Sequence, residues 1–212
     1  VEYSHKYPFM WTSVGLHPEE ASRCPTGYLA ELETLAKSPK CVAIGEIGLD
    51  YHYDGYVRED QIRLFEEQLD LAKRLEMPVI IHSREATADC MELLKKYRPR
   101  GVMHCFSGSA ETAKEVLALG MYISFTGVVT FKNAKKACEA AAVVPFDKIL
   151  LETDCPYMSP EPNRGKRCDS TMIADTAAKI AEIKGIPTQD LIDFATENTC
   201  RLFDIPYSLI NK

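Results

Sequence analysis

Metal-binding side chains recur along the chain at the ends of short apolar segments. Glu46 follows CVAIG, His82 follows PVII, His104 follows GVM, and Asp154 closes ILLETD. His17, at the end of TSVGLH, is a further candidate in the same relative position. Imidazole nitrogens bind zinc and other transition metals, whereas carboxylates also bind magnesium and manganese. One such residue alone is more often structural, but histidines and carboxylates repeated in this position indicate a divalent-metal site.

These ligand types suit the hydrolysis of phosphoesters. Two cations about 3.5–4 Å apart can activate water and stabilise the leaving oxygen, and a carboxylate can bridge them. The sequence contains no HExxH, GxSxG or GxGxxG motif and no P-loop. Their absence argues against a zincin protease, a serine hydrolase and a nucleotide-dependent enzyme. Metal-assisted hydrolysis is therefore the predicted chemistry.

Four cations accompany the predicted metal ligands along the chain. Arg164, Lys166 and Arg167 lie in the loop SPEPNRGKR shortly after Asp154, and Arg84 follows two residues after His82. Cations beside a metal site are typical of a clamp for backbone phosphates. The same loop is also compatible with an ordinary solvated surface, so its role depends on the metal site.

Apolar segments of strand length alternate with segments of helical periodicity. The predicted strands are 10–16, 41–47, 78–82, 102–105, 121–125 and 148–152, and the predicted helices are 58–75, 85–97, 111–119, 133–143, 171–184 and 188–203, with Thr188 as N-cap. Nearly continuous apolar runs are typical of parallel strands buried on both faces. Repeated strand–helix units predict an α/β fold, either an open sheet or a TIM-type barrel with its active site at the carboxyl ends of the strands.

Composition restricts the class of protein. The net charge of −6 disfavours a protein that coats nucleic acid through a broad positive surface, but not an enzyme that acts on it. The eight cysteines are scattered without a CxxC pair, which favours reduced thiols in the cytoplasm. No apolar run is long enough for a membrane span and no signal peptide opens the chain. No membrane association and no obligate protein partner are predicted.

At this point the motifs resemble those of one family. GEIGLDYHYD, PVIIHSREA, HCFSGS, SFTGVVTFKNA, LLETDCPYMSP and RGKR are similar, in order, to the successive motifs of the TatD family, from about Ser13 to Phe203. The resemblance implies a TIM-type (β/α) barrel and divalent-metal-dependent cleavage of DNA, with two ions of Zn, Mg or Mn. It also implies that Glu46 is shared by the ions, that His82 and His104 hold one of them, and that Asp154 binds the other and assists the attacking water.

The chain departs from the family pattern at its beginning. The family starts with a strand that ends in His-x-His, and no HxH occurs in this sequence. Only six strands are predicted, whereas the barrel has eight in about 250 residues. We therefore expect residues 1–212 to form a single, N-terminally truncated barrel domain that binds its metals weakly by itself, and we expect the intact protein to contain HxH.

Two alternatives to a DNase remain open from the sequence. A related metal hydrolase of another ester or an amide would use the same ligands, and only the cations of the 159–167 loop favour phosphate. An incomplete barrel that acts as a binding protein would have no need for charged groups buried at the ends of its strands. The ligands Glu46, His82, His104 and Asp154 therefore favour the enzyme.

Overall fold

The computed structural model describes residues 1–209. Its strands are β1 (Thr12–Val14), β2 (Cys41–Asp50), β3 (Val79–Arg84), β4 (Gly101–Met103), β5 (Tyr122–Phe125) and β6 (Ile149–Leu151). Its α-helices are α1 (Glu2–Lys6), α2 (Tyr28–Ala36), α3 (Arg58–Arg74), α4 (Thr87–Tyr97), α5 (Ala110–Ala118), α6 (Lys135–Val143), α7 (Ile173–Lys184) and α8 (Thr188–Phe203). Short 3-10 helices connect several of them.

The strands form one sheet in which neighbours in the sequence are neighbours in space, in the order β1–β2–β3–β4–β5–β6. Strand β1 is parallel to β2, β2 to β3, and β5 to β6. Parallel neighbours need a crossover, and a helix lies between consecutive strands of the sequence. The prediction of an α/β fold with six parallel strands is therefore confirmed.

The chain divides into two compact units. The first unit comprises Val1–Val102 and the chain from Leu202 onward, and the second comprises Met103–Arg201. In the first unit, α3 packs on β2 through an apolar face that includes the buried residues Leu64, Phe65 and Leu69. Ile62 of the same helix is only half-buried. In the second unit, the core includes Val116, Ile123 and Phe125.

A buried amide anchors α8 in the second unit. Asn198 is 2% exposed, and its Nδ2 donates to the carbonyl oxygens of Phe146 and Ile149 at 2.7 and 2.9 Å. Phe146 lies three residues before β6 and Ile149 is its first residue, so α8 fixes the start of that strand. A polar side chain is stable here because both of its donors are satisfied.

The strands beside the predicted site differ from their expected lengths. Strands β2 and β3 extend to Asp50 and Arg84, because the segments 48–50 and 82–84 pair with each other. Apolar runs alone end earlier, since glycine and charged residues are poor strand formers. Helix α2 was not predicted, and Thr188 is the first residue of α8 rather than its N-cap.

Two further expectations concern cysteines and membranes. All eight cysteines are free of disulfide bonds in this structure. Across residues 1–209, no helix combines the length and the apolar character needed to cross a bilayer.

Candidate metal centre

Three of the candidate ligands come together in the first unit. Ligand atoms of His17, Glu46 and His82 all lie within 4.8 Å of one another, and all three side chains are partly accessible. The imidazole rings of His17 and His82 meet edge to face with centroids 4.5 Å apart. His82 Nδ1 lies 3.8 Å from Glu46 Oε2. His17, only a further candidate from the sequence, is thus a full member of the group.

An irregularity in β2 positions Glu46. The pairing of β2 with β3 passes from Ile44 opposite Val79 to Ile47 opposite Ile81, so β2 has one additional residue between these pairs. Such a bulge re-aims the side chain at the irregularity, and bulges occur often beside active sites. Glu46 therefore leaves the apolar pattern of the strand although β2 continues for four more residues.

A glycine allows the two strands to approach at His82. Gly48 pairs with His82 and has φ +148°. A Cβ atom at Gly48 would lie 1.9 Å from the carbonyl oxygen of His82. Only glycine fits this contact, so the position of His82 depends on the absence of a side chain at residue 48.

Asp50 orients the His82 ring. The Asp50 carboxylate is 3% exposed, accepts from His82 Nε2 at 3.0 Å, and accepts from the His52 amide at 2.9 Å. A carboxylate on one imidazole nitrogen directs the other toward a metal and raises its basicity. Burial and the neighbouring His17 lower the pKa of His82, so the ring is neutral near pH 7 and its Nδ1 can act as a ligand.

Helix α3 fixes the backbone at Leu16, the residue before His17, and at Asp50, the hydrogen-bond partner of His82. The buried amide of Gln68 accepts from the Leu16 N–H at 2.7 Å and donates to the Leu16 carbonyl at 3.0 Å. Two turns earlier on the helix, Gln61 makes the same pair of bonds to the Asp50 backbone, at 2.8 and 2.7 Å. Gln68 thereby holds the residue before His17. The Nδ1 of His17 accepts from the Glu19 N–H at 3.4 Å and caps a 3-10 helix, which leaves Nε2 as the nitrogen that would bind a metal.

The second unit contains the two other predicted ligands. His104 directly follows β4, and its Nδ1 donates to Glu152 at 2.7 Å. Glu152 also accepts from the Cys105 N–H at 2.7 Å and from the Ser124 hydroxyl. Burial raises the pKa of Glu152, but the bonds from His104, Ser124 and Cys105 outweigh it and hold this pKa below its ordinary value. The ionised Glu152 fixes the tautomer of His104 so that Nε2 would face a metal.

Asp154 lies three residues beyond β6 and is half-buried. Its carbonyl oxygen accepts from the Tyr157 N–H at 2.7 Å, which begins the turn toward the basic loop. The structure therefore brings His17, Glu46 and His82 together in the first unit and places His104 and Asp154 in the second.

The predicted phosphate-binding cations are exposed or half-exposed. The Arg164 guanidinium lies over the Phe131 ring, 3.7 Å from its centroid, and Lys166 donates to Asn163 at 3.1 Å. Arg167 is exposed. In the first unit, Arg84 lies 5.1 Å from the Tyr53 ring centroid and donates to its hydroxyl at 3.2 Å.

Several functional neighbours were not predicted from the sequence. Asp50 and Glu152 contact His82 and His104. Gln61 holds the backbone of Asp50, and Gln68 holds that of Leu16, the residue before His17. Glu152 has the same signal as the predicted ligands, a carboxylate directly after an apolar strand. The two glutamines are seven residues apart on the apolar face of a helix, where a polar side chain indicates a specific buried partner.

The donor set of the first unit fits a divalent cation. Zinc and similar ions bind imidazole nitrogen and carboxylate oxygen at about 2.0–2.2 Å, so two ligands of one ion lie up to about 4 Å apart. The group of His17, Glu46 and His82 therefore needs only small side-chain movements to share one ion. Neutral imidazoles and a carboxylate admit several metals, so this donor set does not select one.

Comparison with known proteins places the chain in a family. A family profile described as TatD related DNase matches residues 1–204. The chain belongs to the TatD family of DNases. A protein of Bacillus subtilis (strain 168), described as the uncharacterized metal-dependent hydrolase YabD, is 42% identical over 97% of this chain and 82% of its own length. A protein of Pantoea vagans (strain C9-1), described as the 3'-5' ssDNA/RNA exonuclease TatD, is 34% identical over 92% of this chain and 78% of its own length.

Solved structures of the TatD family share the fold. The crystal structure of YJJV, a TatD homologue from Escherichia coli K12, superposes with a TM-score of 0.92 at 33% identity. The match covers 97% of this chain and 81% of that one. The resemblance inferred from the motifs is confirmed, and with it the fold class and the assignment to a family of metal-dependent hydrolases and nucleases.

Proposed function

We propose that this TatD-family chain is a divalent-metal-dependent nuclease that hydrolyses phosphodiester bonds of DNA from an end of a single strand. The observation that carries the proposal is the group of His17, Glu46 and His82 within 4.8 Å of one another. The membership of the chain in a DNase family supports phosphodiesters as the substrate. The relative described as a 3'-5' ssDNA/RNA exonuclease supports a single strand and cleavage from an end.

The residues have separate roles in this proposal. Glu46, His17 and His82 hold metal in the first unit, and His104 and Asp154 are the proposed metal ligands of the second unit. When bound, the ions polarise a phosphate oxygen and lower the pKa of water. Asp50 and Glu152 hold His82 and His104 in the tautomers that bind metal. Asp154 accepts a proton from the attacking water, as a carboxylate beside a reacting water can do.

The identity of the ions, their number and the location of the protein belong to the same proposal. Zn, Mg and Mn all fit imidazole and carboxylate ligands. We propose a single barrel domain that acts in the cytoplasm, where its thiols remain reduced. DNA is the proposed substrate, and no obligate protein partner or membrane is required.

The function is tested with a 5'-fluorescein single-stranded 20-mer incubated with the protein in Mn²⁺, Mg²⁺, Zn²⁺ or EDTA. We expect products shortened one nucleotide at a time with at least one of the metals and no products in EDTA, because water activation requires the ion. The small ester p-nitrophenyl acetate, offered as a second substrate, distinguishes a nuclease from a hydrolase of other esters. Metal-dependent hydrolysis of the ester with intact DNA would replace the nuclease with an esterase, and cleavage in EDTA would contradict a metal mechanism.

The basic loop is expected to bind the phosphate backbone. The stacking on Phe131 holds the Arg164 guanidinium in one place, and Arg167 is exposed nearby in sequence. The double substitution Arg164→Ala and Arg167→Ala should weaken binding of single-stranded DNA and make the slope of log K against log salt about 1.4 units shallower, at about 0.7 per phosphate contact. Fluorescence anisotropy at salt concentrations from about 50 to about 300 mM measures this slope.

A matched control removes two cations elsewhere in the second unit. Lys135 and Lys136 are exposed on α6, so Lys135→Ala with Lys136→Ala changes the net charge equally without touching the loop. If both double variants flatten the slope to the same extent, the loop has no specific role and only the net charge matters.

A further inference from the structure

A cluster of aromatic side chains lies between β2 and α3, outside the residues assigned above. It comprises Tyr51, His52, Tyr53 and Tyr56 in the segment GLDYHYDGY. Tyr53 and Tyr56 are 54% and 44% exposed. Large aromatic side chains grouped on a surface are characteristic of binding sites rather than of a core. The cluster therefore indicates a ligand that has an aromatic face.

A cavity of about 450 Å³ opens beside this cluster. Tyr53 and Tyr56 line it together with Pro18, Arg23 and Asp50. Small-molecule sites in proteins occupy about 300–1,000 Å³, so the cavity has room for a planar heterocycle. Asp50 lines the cavity and also accepts from His82 at 3.0 Å, so a single side chain separates the cavity from the candidate metal group.

The Tyr56 ring is held as a rigid platform. It lies parallel to Tyr51, with centroids 4.7 Å apart and an interplanar angle of 10°. Tyr51 is itself fixed, because its hydroxyl donates to Asp89 at 2.7 Å and the Arg58 guanidinium holds the same carboxylate at 2.7 and 2.9 Å. Since Tyr51 covers one face of Tyr56, the exposed area of Tyr56 belongs to its other face and its edges.

Tyr53 is supported in a similar way. His52 meets its ring edge to face with centroids 5.0 Å apart, and the Arg84 guanidinium lies 5.1 Å from the ring centroid. The bond from Arg84 to the Tyr53 hydroxyl at 3.2 Å restrains both side chains. Arg84 was predicted to bind phosphate, so a cation for the phosphate and an aromatic ring for a base lie side by side.

The charges around the cavity select the part of a nucleotide that enters it. Besides Arg23, the charged residues of its lining are the carboxylates Glu19, Glu20, Asp50 and Asp54. Their excess of negative charge would repel a phosphate at close range. An uncharged planar base is not repelled in this way and can stack on tyrosine. Because every base has an aromatic face, such stacking tolerates any base.

We propose that this cavity, lined by Tyr53 and Tyr56 and joined to His82 through Asp50, is a subsite for one unpaired nucleobase of the substrate strand. The subsite rests on the proposed nuclease function and specifies how the strand is recognised. The base stacks on the outer face of Tyr56, and the adjoining phosphate stays outside the acidic wall beside Arg84. A base within a duplex is already stacked and paired, so only an unpaired base can enter without a melting cost.

The experiment measures binding in EDTA, where the strand stays intact, by the fluorescence anisotropy of 5'-fluorescein oligothymidylate. A matched series replaces the base at one of the last four positions from the 3' end with an abasic tetrahydrofuran residue. We expect the wild type to bind one member of the series about tenfold more weakly than the intact strand, the scale of one base stacked on an aromatic side chain. Tyr56→Ala should bind the intact strand as weakly as the wild type binds that abasic strand. The affinity of Tyr56→Ala should not fall further when the abasic strand replaces the intact one.

Three controls make the result specific. Tyr56→Phe keeps the ring and should bind as the wild type does, and Tyr53→Ala should weaken binding of the intact strand several-fold. Tyr3→Ala removes another exposed tyrosine of the first unit, 64% exposed, and should have no effect. The subsite is overturned if the wild type binds every abasic member as it binds the intact strand, if it binds none measurably, or if Tyr56→Ala leaves the affinity unchanged.

The same preparations report separately on the nuclease. Adding Mn²⁺ after the binding measurement starts cleavage, if the proposed function is right. Base-dependent binding without cleavage in Mn²⁺, Mg²⁺ or Zn²⁺ would support the subsite and contradict the nuclease. Cleavage by a protein whose binding does not depend on any of the bases would support the nuclease and contradict the subsite.

Discussion

Replacing Glu46 with alanine is expected to abolish the metal-dependent cleavage of DNA. The Glu46 carboxylate lies with His17 and His82 in the candidate metal centre, so its loss would remove one of the ligands that hold a cation there. A divalent ion bound there would contribute several kcal/mol to the stabilisation of the transition state, and each 1.4 kcal/mol is about tenfold in rate. We therefore expect kcat/KM to fall by about a thousandfold or more, measured on the labelled 20-mer at saturating Mn²⁺.

The loss should concern catalysis and not folding. The Glu46 side chain is 37% exposed, so the alanine variant leaves no large cavity and its free energy of unfolding in urea should stay within about 1 kcal/mol of the wild type. Elemental analysis of the purified protein should find less bound metal. Glu92→Ala is the matched control, because Glu92 is exposed on α4 of the same unit. Full activity of Glu46→Ala would remove Glu46 from the site.

Replacing Gly48 with alanine is expected to have the largest effect on stability. The new Cβ atom would lie 1.9 Å from the His82 carbonyl oxygen, and the φ of +148° is one that residues with side chains rarely adopt. The two strands must separate to relieve the contact, which breaks their pairing beside a predicted metal ligand. We expect the free energy of unfolding to fall by at least about 3 kcal/mol, and metal affinity to fall with it.

Gly27 serves as a control that separates the two causes of destabilisation at Gly48, the steric contact and the positive φ. Gly27 has φ +83°, and apart from its neighbours in the chain no atom of residues 1–209 lies within 4 Å of the position that a Cβ atom would take there. Gly27→Ala therefore tests the conformation alone and should cost about 1–2 kcal/mol. Urea denaturation of both variants, with isothermal titration of Zn²⁺ into the folded fraction, measures the two effects. Equal costs for the two substitutions would show that the close approach of β2 and β3 contributes nothing.

The residue types and their order along the chain already determined the class of protein. Histidines and carboxylates at the ends of apolar segments predicted metal-assisted hydrolysis, and continuous apolar runs predicted parallel strands. Both inferences rest on local chemistry, because a strand buried on both faces must be apolar throughout and a metal needs nitrogen or oxygen ligands. The motifs that carry the family resemblance are likewise contiguous segments such as GEIGLDYHYD.

The tertiary structure decided which side chains meet and what supports them. The irregular pairing of β2 that re-aims Glu46 is a relation between two strands, and neither strand encodes it alone. Asp50 supports His82 across 32 residues, and Gln68 supports the residue before His17 across 52. Contacts over such separations depend on how elements pack, so the sequence named the candidate ligands whereas only the fold could select His17 and supply the residues that hold them.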